Sequence, residues 1–310
     1  MKYETAGDPM TGLLWTRKAT RKIAAELQRE GIIVSDKTVA CLLDELGYSL
    51  QANRKKIALS GKGSRKQRAD RDLQFRRICR MRERFARKQY PIISVDTKKK
   101  ELIGNFKNSG RLWRNRPCDV ADHDFPSYAE AKIAPYGIYD TIANKGAVYL
   151  GLSHDTAAFA VDSIYSWWKQ YGSVRYPHAL HILILADNGG SNSPSNAAWR
   201  YHLWEALCQR CGLQVTVCHY PTGASKWNPI EHRLFSEISK NWAGVPLNNV
   251  ETAIKYIRKT KTETGLKVTA ALNQKQYPLK EQIAEDLQAQ VLINRYQTFP
   301  KLNYTLRPEN

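Results

Sequence analysis

His181-Ile182-Leu183-Ile184-Leu185-Ala186-Asp187-Asn188-Gly189-Gly190 is an apolar run that stops on an acid and breaks at once into glycines. A short apolar run bounded by turn formers suits a strand buried on both faces. An acid at its end stands where α/β sheets build their sites, beyond the strand ends. Pro91-Ile92-Ile93-Ser94-Val95-Asp96 repeats the pattern. A single strand-end aspartate is commonly a turn former. Two of them, on strands expected to be central and adjacent, form a carboxylate pair that repels unless a cation lies between or one member is protonated. Mg²⁺ suits such a pair, because it takes oxygen ligands and keeps positions open for phosphates.

Around these two runs the pattern predicts strands over 136–142 and 147–152, separated by a turn at 143–146. It predicts a helix over 156–171 capped by Asp155, a helix over 199–211, a strand over 215–218 and a helix over 228–242. The order β-β-β-α-β-α-β-α is that of a ribonuclease-H-like α/β domain, a mixed sheet flanked by helices, here expected to fill residues 91–310. Upstream, Ile23, Ala24 and Leu27 recur at helical spacing and Gly31 stops them; Ser35 is a suitable N-cap for a second helix with Val39, Leu42, Leu43 and Leu46, stopped by Gly47. Two short helices on a tight connection fit an all-α helix-turn-helix region over 1–52, with an ordinary helical hairpin as the plainer reading. Lys37 and Thr38, near the start of the second helix, are the groove-facing candidates.

Charge separates the parts. The net charge is +19, and residues 54–90 hold 15 Lys/Arg against 3 Asp/Glu, whereas residues 1–53 balance at 7 and 7. Residues 53–90 therefore read as a basic linker, with Arg54, Lys55 and Lys56 as DNA contacts, followed by a helix over 70–88 whose apolar side carries Leu73, Ile78, Met81 and Phe85. Like charges at helical spacing repel, and a phosphate backbone alongside relieves them. The implied partner is double-stranded DNA. No run approaches the ~18 apolar residues of a membrane span, and the N-terminus has no apolar leader, so no membrane partner and a cytoplasmic, nucleoid-associated location are expected. Cys208-x-x-Cys211 has no second pair to complete a zinc site and reads as part of a helix.

The third acid is Glu231, in Ser225-Lys226-Trp227-Asn228-Pro229-Ile230-Glu231. Asn228 suits an N-cap and Pro229 the first helical position, which puts Glu231 in the first turn, above a buried stripe of Ile230, Leu234, Phe235, Ile238 and Trp242. Asn-x-x-Glu also fits a capping box, so the local pattern leaves capping and metal binding both open. Three acids together suit a two-metal phosphoryl-transfer site. Lys98, Lys99 and Lys100 after Asp96, and Lys226, are candidate phosphate contacts. Trp227 could stack on a base, while Trp113, Trp167, Trp168, Trp199, Trp204 and Trp242 read as core. His154, His219 and His232 fall near the acids in sequence but are left out of the catalytic set.

Ser94-Val95-Asp96-Thr97-Lys98-Lys99-Lys100-Glu101, Ala186-Asp187-Asn188-Gly189-Gly190-Ser191-Asn192 and Ser225–Glu231 ahead of His232-Arg233-Leu234-Phe235 resemble the insertion-sequence transposases that carry the Rhodopirellula-type DDE domain. The Asn-Pro-Ile-Glu segment is also similar to mariner-like transposases. The resemblance runs from about Glu4 to Asn303-Tyr304-Thr305. It implies Asp96, Asp187 and Glu231 as the catalytic acids and ligands of two Mg²⁺ or Mn²⁺ ions. It further implies cleavage and joining of DNA at transposon ends and target, and work as a homo-oligomer on DNA. The resemblance implies further N-terminal sequence in family members, so an N-terminally truncated copy is one expectation; Cys118–Ala134 is shortened and altered relative to their pattern, which bears on activity. A non-catalytic DNA-binding repressor derived from a transposase is the alternative. Convergence of the three carboxylates is the structural test.

Overall fold

The computed structural model describes residues 5–7, 14–16, 19–50, 64–224 and 227–309. The chain divides into two compact units, residues 1–58 and 59–310.

In the first unit, β1 (Thr5–Gly7) pairs antiparallel with β2 (Leu14–Thr16). Two helices follow, α1 (Thr20–Arg29) and α2 (Asp36–Glu45). Ser35 caps α2 as its sequence suggests, its hydroxyl accepting from the Thr38 N–H at 3.0 Å. Gly31 and Gly47 end the two helices at φ 87° and 79°, a conformation that glycine adopts at no steric penalty. Ile23 and Val39 are buried, but Leu42 and Leu46, expected on the apolar stripe of α2, are exposed. Two ten-residue helices cover little more than one such pair between them.

The second unit opens with α3 (Ser64–Arg87). Then come β3 (Ile92–Thr97), β4 (Glu101–Ile103), β5 (Ala131–Asp140) and β6 (Lys145–Gly151). Helix α4 (Ala157–Trp167) runs through a π-helical turn, Trp168–Gly172, into α5 (Ser173–Arg175). Strand β7 (His181–Ala186) leads to α6 (Ala197–Leu203), which continues as a π turn, Trp204–Gln209, and then to β8 (Gln214–His219). The next helical stretch spans 229–241, π-helical over Glu231–Phe235 and ending as α7 (Ser236–Asn241). Last come α8 (Val250–Lys259), β9 (Lys267–Asn273), α9 (Glu285–Gln290), β10 (Ile293–Arg295) and β11 (Asn303–Leu306).

The sheet order is β10-β11-β8-β7-β3-β5-β6-β9, with β4 paired to β5. β3, β7 and β8 are parallel neighbours, and β3, β5 and β6 form an antiparallel meander. This is a mixed sheet with helices on both faces, as the sequence order leads one to expect. The flanking strands β9 and β11 and helix α8 add to what the sequence pattern predicts.

Alternation along the strands divides the core. Ile93, Val95, Ile182, Ile184, Val215, Val217 and Tyr304 face one cluster with Phe159, Ile164, Trp199 and Leu203 of α4 and α6. On the other face Ile230, Leu234, Phe235, Ile238 and Trp242 pack as the predicted stripe, with Ile257 of α8. Ile78, Met81 and Phe85 of α3 pack on Ile92, Leu183, Leu185 and Cys218. Helix α3 is therefore part of the sheet-containing body. Leu73, expected on its buried side, is exposed; Gln74 takes that place at 1 % exposure. The Gln74 amide donates to His219 O at 2.7 Å and accepts from Asn303 Nδ2 at 2.7 Å, which satisfies a polar group that sequence patterning reads as surface. Trp113, expected in the core, is fully exposed in the irregular stretch between β4 and β5. Among the described residues no helix is long and apolar enough to cross a membrane.

Candidate active site

Val95 pairs with Ala186 in the parallel ladder of β3 and β7. Asp96 and Asp187 therefore follow at one level on neighbouring central strands. Asp96 is 8 % exposed. Burial, then the charge of Asp187, with Glu231 and Asp155 adding, pushes its carboxyl up to about 8, against the pull of the Thr97 N–H that donates to Oδ1 at 2.8 Å. Asp187 is raised as well, by burial first and by Asp155 and Glu231, while Asn192 and the Gly189 backbone oppose. The amide of Asn192 is oriented from behind: Tyr136 Oη donates to its Oδ1 at 2.9 Å, which turns Nδ2 toward Asp187 Oδ1, a long contact of 3.5 Å.

Glu231 comes to the same place by a link the sequence does not show. Asn228 does not cap its helix. Its fully buried side chain faces β3, accepting from the Ser94 hydroxyl and donating to Val95 O at 3.3 Å. Ser94 Oγ in turn accepts from the Ile230 N–H at 3.1 Å, so the cap is supplied from the sheet. The strand residue two before Asp96 thus holds the helical turn that bears Glu231, and that turn is π-helical, a distortion frequent at functional sites. The reciprocal capping box is not formed on the Asn228 side chain. Burial raises the Glu231 carboxyl, and His232 and Lys98 hold it down. Glycine permits the close fit: a Cβ on Gly137, the β5 partner of Asp96, would stand 2.4 Å from the Phe235 ring and 2.9 Å from Ile230.

Asp155, expected as a helix cap, leaves that role to Thr156, which accepts from Phe159 N at 3.3 Å. Asp155 instead accepts from Thr97 Oγ1 at 3.1 Å, and its charge raises both Asp96 and Asp187. It is a fourth carboxylate at the site. Its signal in the sequence is an acid in the short turn after β6, a position that capping explains equally well.

The four acids are electrostatic neighbours. Among the described residues, no three His, Cys, Asp or Glu side chains close on a single point as ligands of one ion would. The convergence that tests the triad is therefore not met among the described residues; what speaks for divalent cations is the chemistry of the donor set. The set is all oxygen, it is partly buried, and its mutual repulsion is what a cation relieves. In a two-ion site, water and substrate phosphates complete each coordination shell.

The DNA candidates divide. Lys98 is mostly buried, its ammonium 2.5 Å from Glu101 Oε1 and 4.7 Å from the Trp242 ring centre, so its charge is compensated inside the fold. Lys99 and Lys100 are exposed. So are Lys37 and Thr38, the latter bonded to Ser35 Oγ at 2.8 Å. Trp227 is 57 % exposed, edge-on to Phe75 at 6.1 Å, with the Arg71 guanidinium 5.7 Å above the Phe75 ring. Arg54, Lys55, Lys56 and Lys226 lie outside the described residues. On α3, Arg76, Arg80, Arg84 and Arg87 form an exposed stripe at helical spacing.

His219, set aside on sequence grounds, is fully buried beside Asp187. Its Nδ1 lies 2.8 Å from Asp187 O, and burial lowers its pKa to about 4.

No curated protein matches the chain. Among solved structures, the Mos1 transposase paired-end complex with left transposon end is similar at 17% identity and a TM-score of 0.45, over 77% of this chain and 65% of that one. The Mos1 strand transfer complex is similar at 16% identity and a TM-score of 0.45, over 77% and 64%. The chain thus spans about 65% of the length of the Mos1 chains it matches. Residues 1–308 match the family described as the Rhodopirellula transposase DDE domain, and the chain belongs to that family.

Proposed function

We propose that the protein cleaves DNA strands at transposon ends and transfers them to a target, with Asp96, Asp187 and Glu231 as its catalytic acids. The observation that carries this is the pairing of Asp96 and Asp187 on adjacent parallel strand ends, with Glu231 tied to the same strand through Ser94 and Asn228. The three carboxylates would hold two divalent ions, Mg²⁺ or Mn²⁺. When bound, such ions neutralise charge on the scissile phosphate and activate the attacking water or 3′-hydroxyl. The protein's own part is to fix the acids in line. Asn192 orients Asp187, and Ser94 sets the distance from Asp96 to Glu231.

The α3 arginines, Lys99 and Lys100 grip the phosphate backbone, which positions DNA without reading its sequence. The two helices of residues 1–52 act as a helix-turn-helix, with Lys37 and Thr38 toward the groove. Arg54, Lys55, Lys56 and Lys226 add phosphate contacts, and Trp227 stacks on a base displaced near the acids. The protein works in the cytoplasm, on the nucleoid, as a homo-oligomer assembled on DNA. The test is a supercoiled plasmid carrying the element's ends, with Mg²⁺ or Mn²⁺ and Asp187→Asn as control. Metal-dependent nicking by the wild type alone supports the reading. DNA binding with no cleavage by either protein identifies a transposase-derived repressor instead.

A further inference from the structure

Asp187 sits at the end of a buried chain of hydrogen bonds that begins on helix α6. Trp199 Nε1, which can only donate, lies 2.9 Å from Tyr304 Oη. That oxygen accepts, so its own hydrogen goes to its other partner, His219 Nε2, at 3.1 Å. A neutral imidazole that accepts at Nε2 carries its proton on Nδ1, and Nδ1 lies 2.8 Å from the carbonyl oxygen of Asp187. Each member has one direction open to it, and the directions agree along the whole chain. Trp199, Tyr304 and His219 are all 0 % exposed, so no water competes and a charged ring is disfavoured. His219 is further anchored by the Gln74 amide, which donates to its carbonyl at 2.7 Å.

We propose that His219 and Tyr304 are positioning residues: the relay pins the peptide that follows Asp187 and so sets where its carboxylate stands. This rests on the reading of Asp187 as a catalytic acid. It makes β11, which carries Tyr304 and pairs with β8, part of the active-site machinery. The carboxylate is steadied from the other side by Tyr136 and Asn192, so Asp187 is held at both its main chain and its side chain. Partners that orient metal ligands from behind typically change metal affinity by about 10–100-fold when removed.

The experiment uses the full chain and four variants: Tyr304→Phe, His219→Asn, His219→Leu and Asp187→Asn. Mn²⁺ binding without DNA is measured by calorimetry, the His219 tautomer by ¹⁵N NMR, and folding by thermal unfolding. The wild type is expected to show His219 protonated on Nδ1. Tyr304→Phe removes the donor to Nε2 and frees the ring, so it should unfold cooperatively, keep the proton on Nδ1, where the Asp187 carbonyl still accepts it, and bind Mn²⁺ about tenfold more weakly. His219→Asn, whose amide nitrogen stands where Nδ1 stood, should bind Mn²⁺ near the wild-type level, while His219→Leu binds about tenfold more weakly. Wild-type His219 protonated on Nε2 overturns the relay even if no variant folds. Equal weakening in His219→Asn and His219→Leu reduces His219 to a packing role and also overturns it. Unchanged Mn²⁺ affinity in Asp187→Asn overturns the ligand reading of Asp187 itself, a failure separable from that of the relay because the tautomer is read without metal.

Discussion

Asp96 is a carboxylate whose proton is held by its surroundings. Its folded pKa, about 8, lies above its ordinary value of 3.8. Stability from this group is therefore fully present below about pH 4 and is lost as pH rises through about 8, when the folded state must finally carry the charge. Metal-free protein should lose more stability between those limits than Asp96→Asn does, and Mg²⁺ should restore the wild type at high pH; thermal unfolding across pH checks it. Equal pH profiles for the two proteins refute the account. Ser94 and Asn228 offer a second test. Ser94→Ala leaves the buried Asn228 Oδ1 and the Ile230 N–H without their partner, which costs about 1–3 kcal/mol. Denaturant unfolding should show it, and DNA cleavage should fall further than stability explains, because Glu231 is released. At this scale the sequence is half legible. Asp96 and Asp187 announce themselves as acids that end apolar runs. Asp155 and the Ser94–Asn228 link do not, because short polar residues beside strand ends and helix starts have local duties that account for them.

Elements bring these residues into place, and the helix over 229–241 does so by lying close on the meander. Gly137 and Gly146 leave the room: a Cβ on Gly146 would stand 2.5 Å from Leu234. Gly137→Ala should drive the Phe235 ring, and with it the Glu231 turn, off the sheet. Cleavage should drop sharply while DNA binding persists, as gel-shift and nicking assays on one preparation would report; unchanged cleavage argues that Glu231 is not a catalytic acid. The stripe of this helix is readable because apolar residues recur at helical spacing and all five are buried. Helix α3 is readable only in part, since its key buried group is polar Gln74. Its outer arginines carry a separate expectation. Replacing Arg76, Arg80 and Arg84 by alanine should lower the slope of log affinity against log salt by roughly 0.9 for each phosphate that they neutralise. An unchanged slope places the DNA elsewhere.

At the scale of the chain, the three apolar clusters found among the described residues lie within residues 59–310. A fragment of residues 59–310 should unfold cooperatively and keep Mn²⁺ binding while losing preference for element ends; failure to bind Mn²⁺ contradicts the division of labour. The sheet's centre is legible in the sequence because its strands are apolar and bounded by turns. Its flanks are not: β9 alternates buried and exposed residues only briefly, and β11 is four residues long. Those flanks also impose a schedule. β9 covers β6 on one side and β11 covers β8 on the other, and both follow all three acids in the chain. A nascent polypeptide that has not yet reached residue 303 already holds Asp96, Asp187 and Glu231, yet β8 still has a free edge of the kind that recruits stray strands. Translation therefore delivers the three acids before the strands that frame them, and β8 gains its cover only once residues 303–306 have been made.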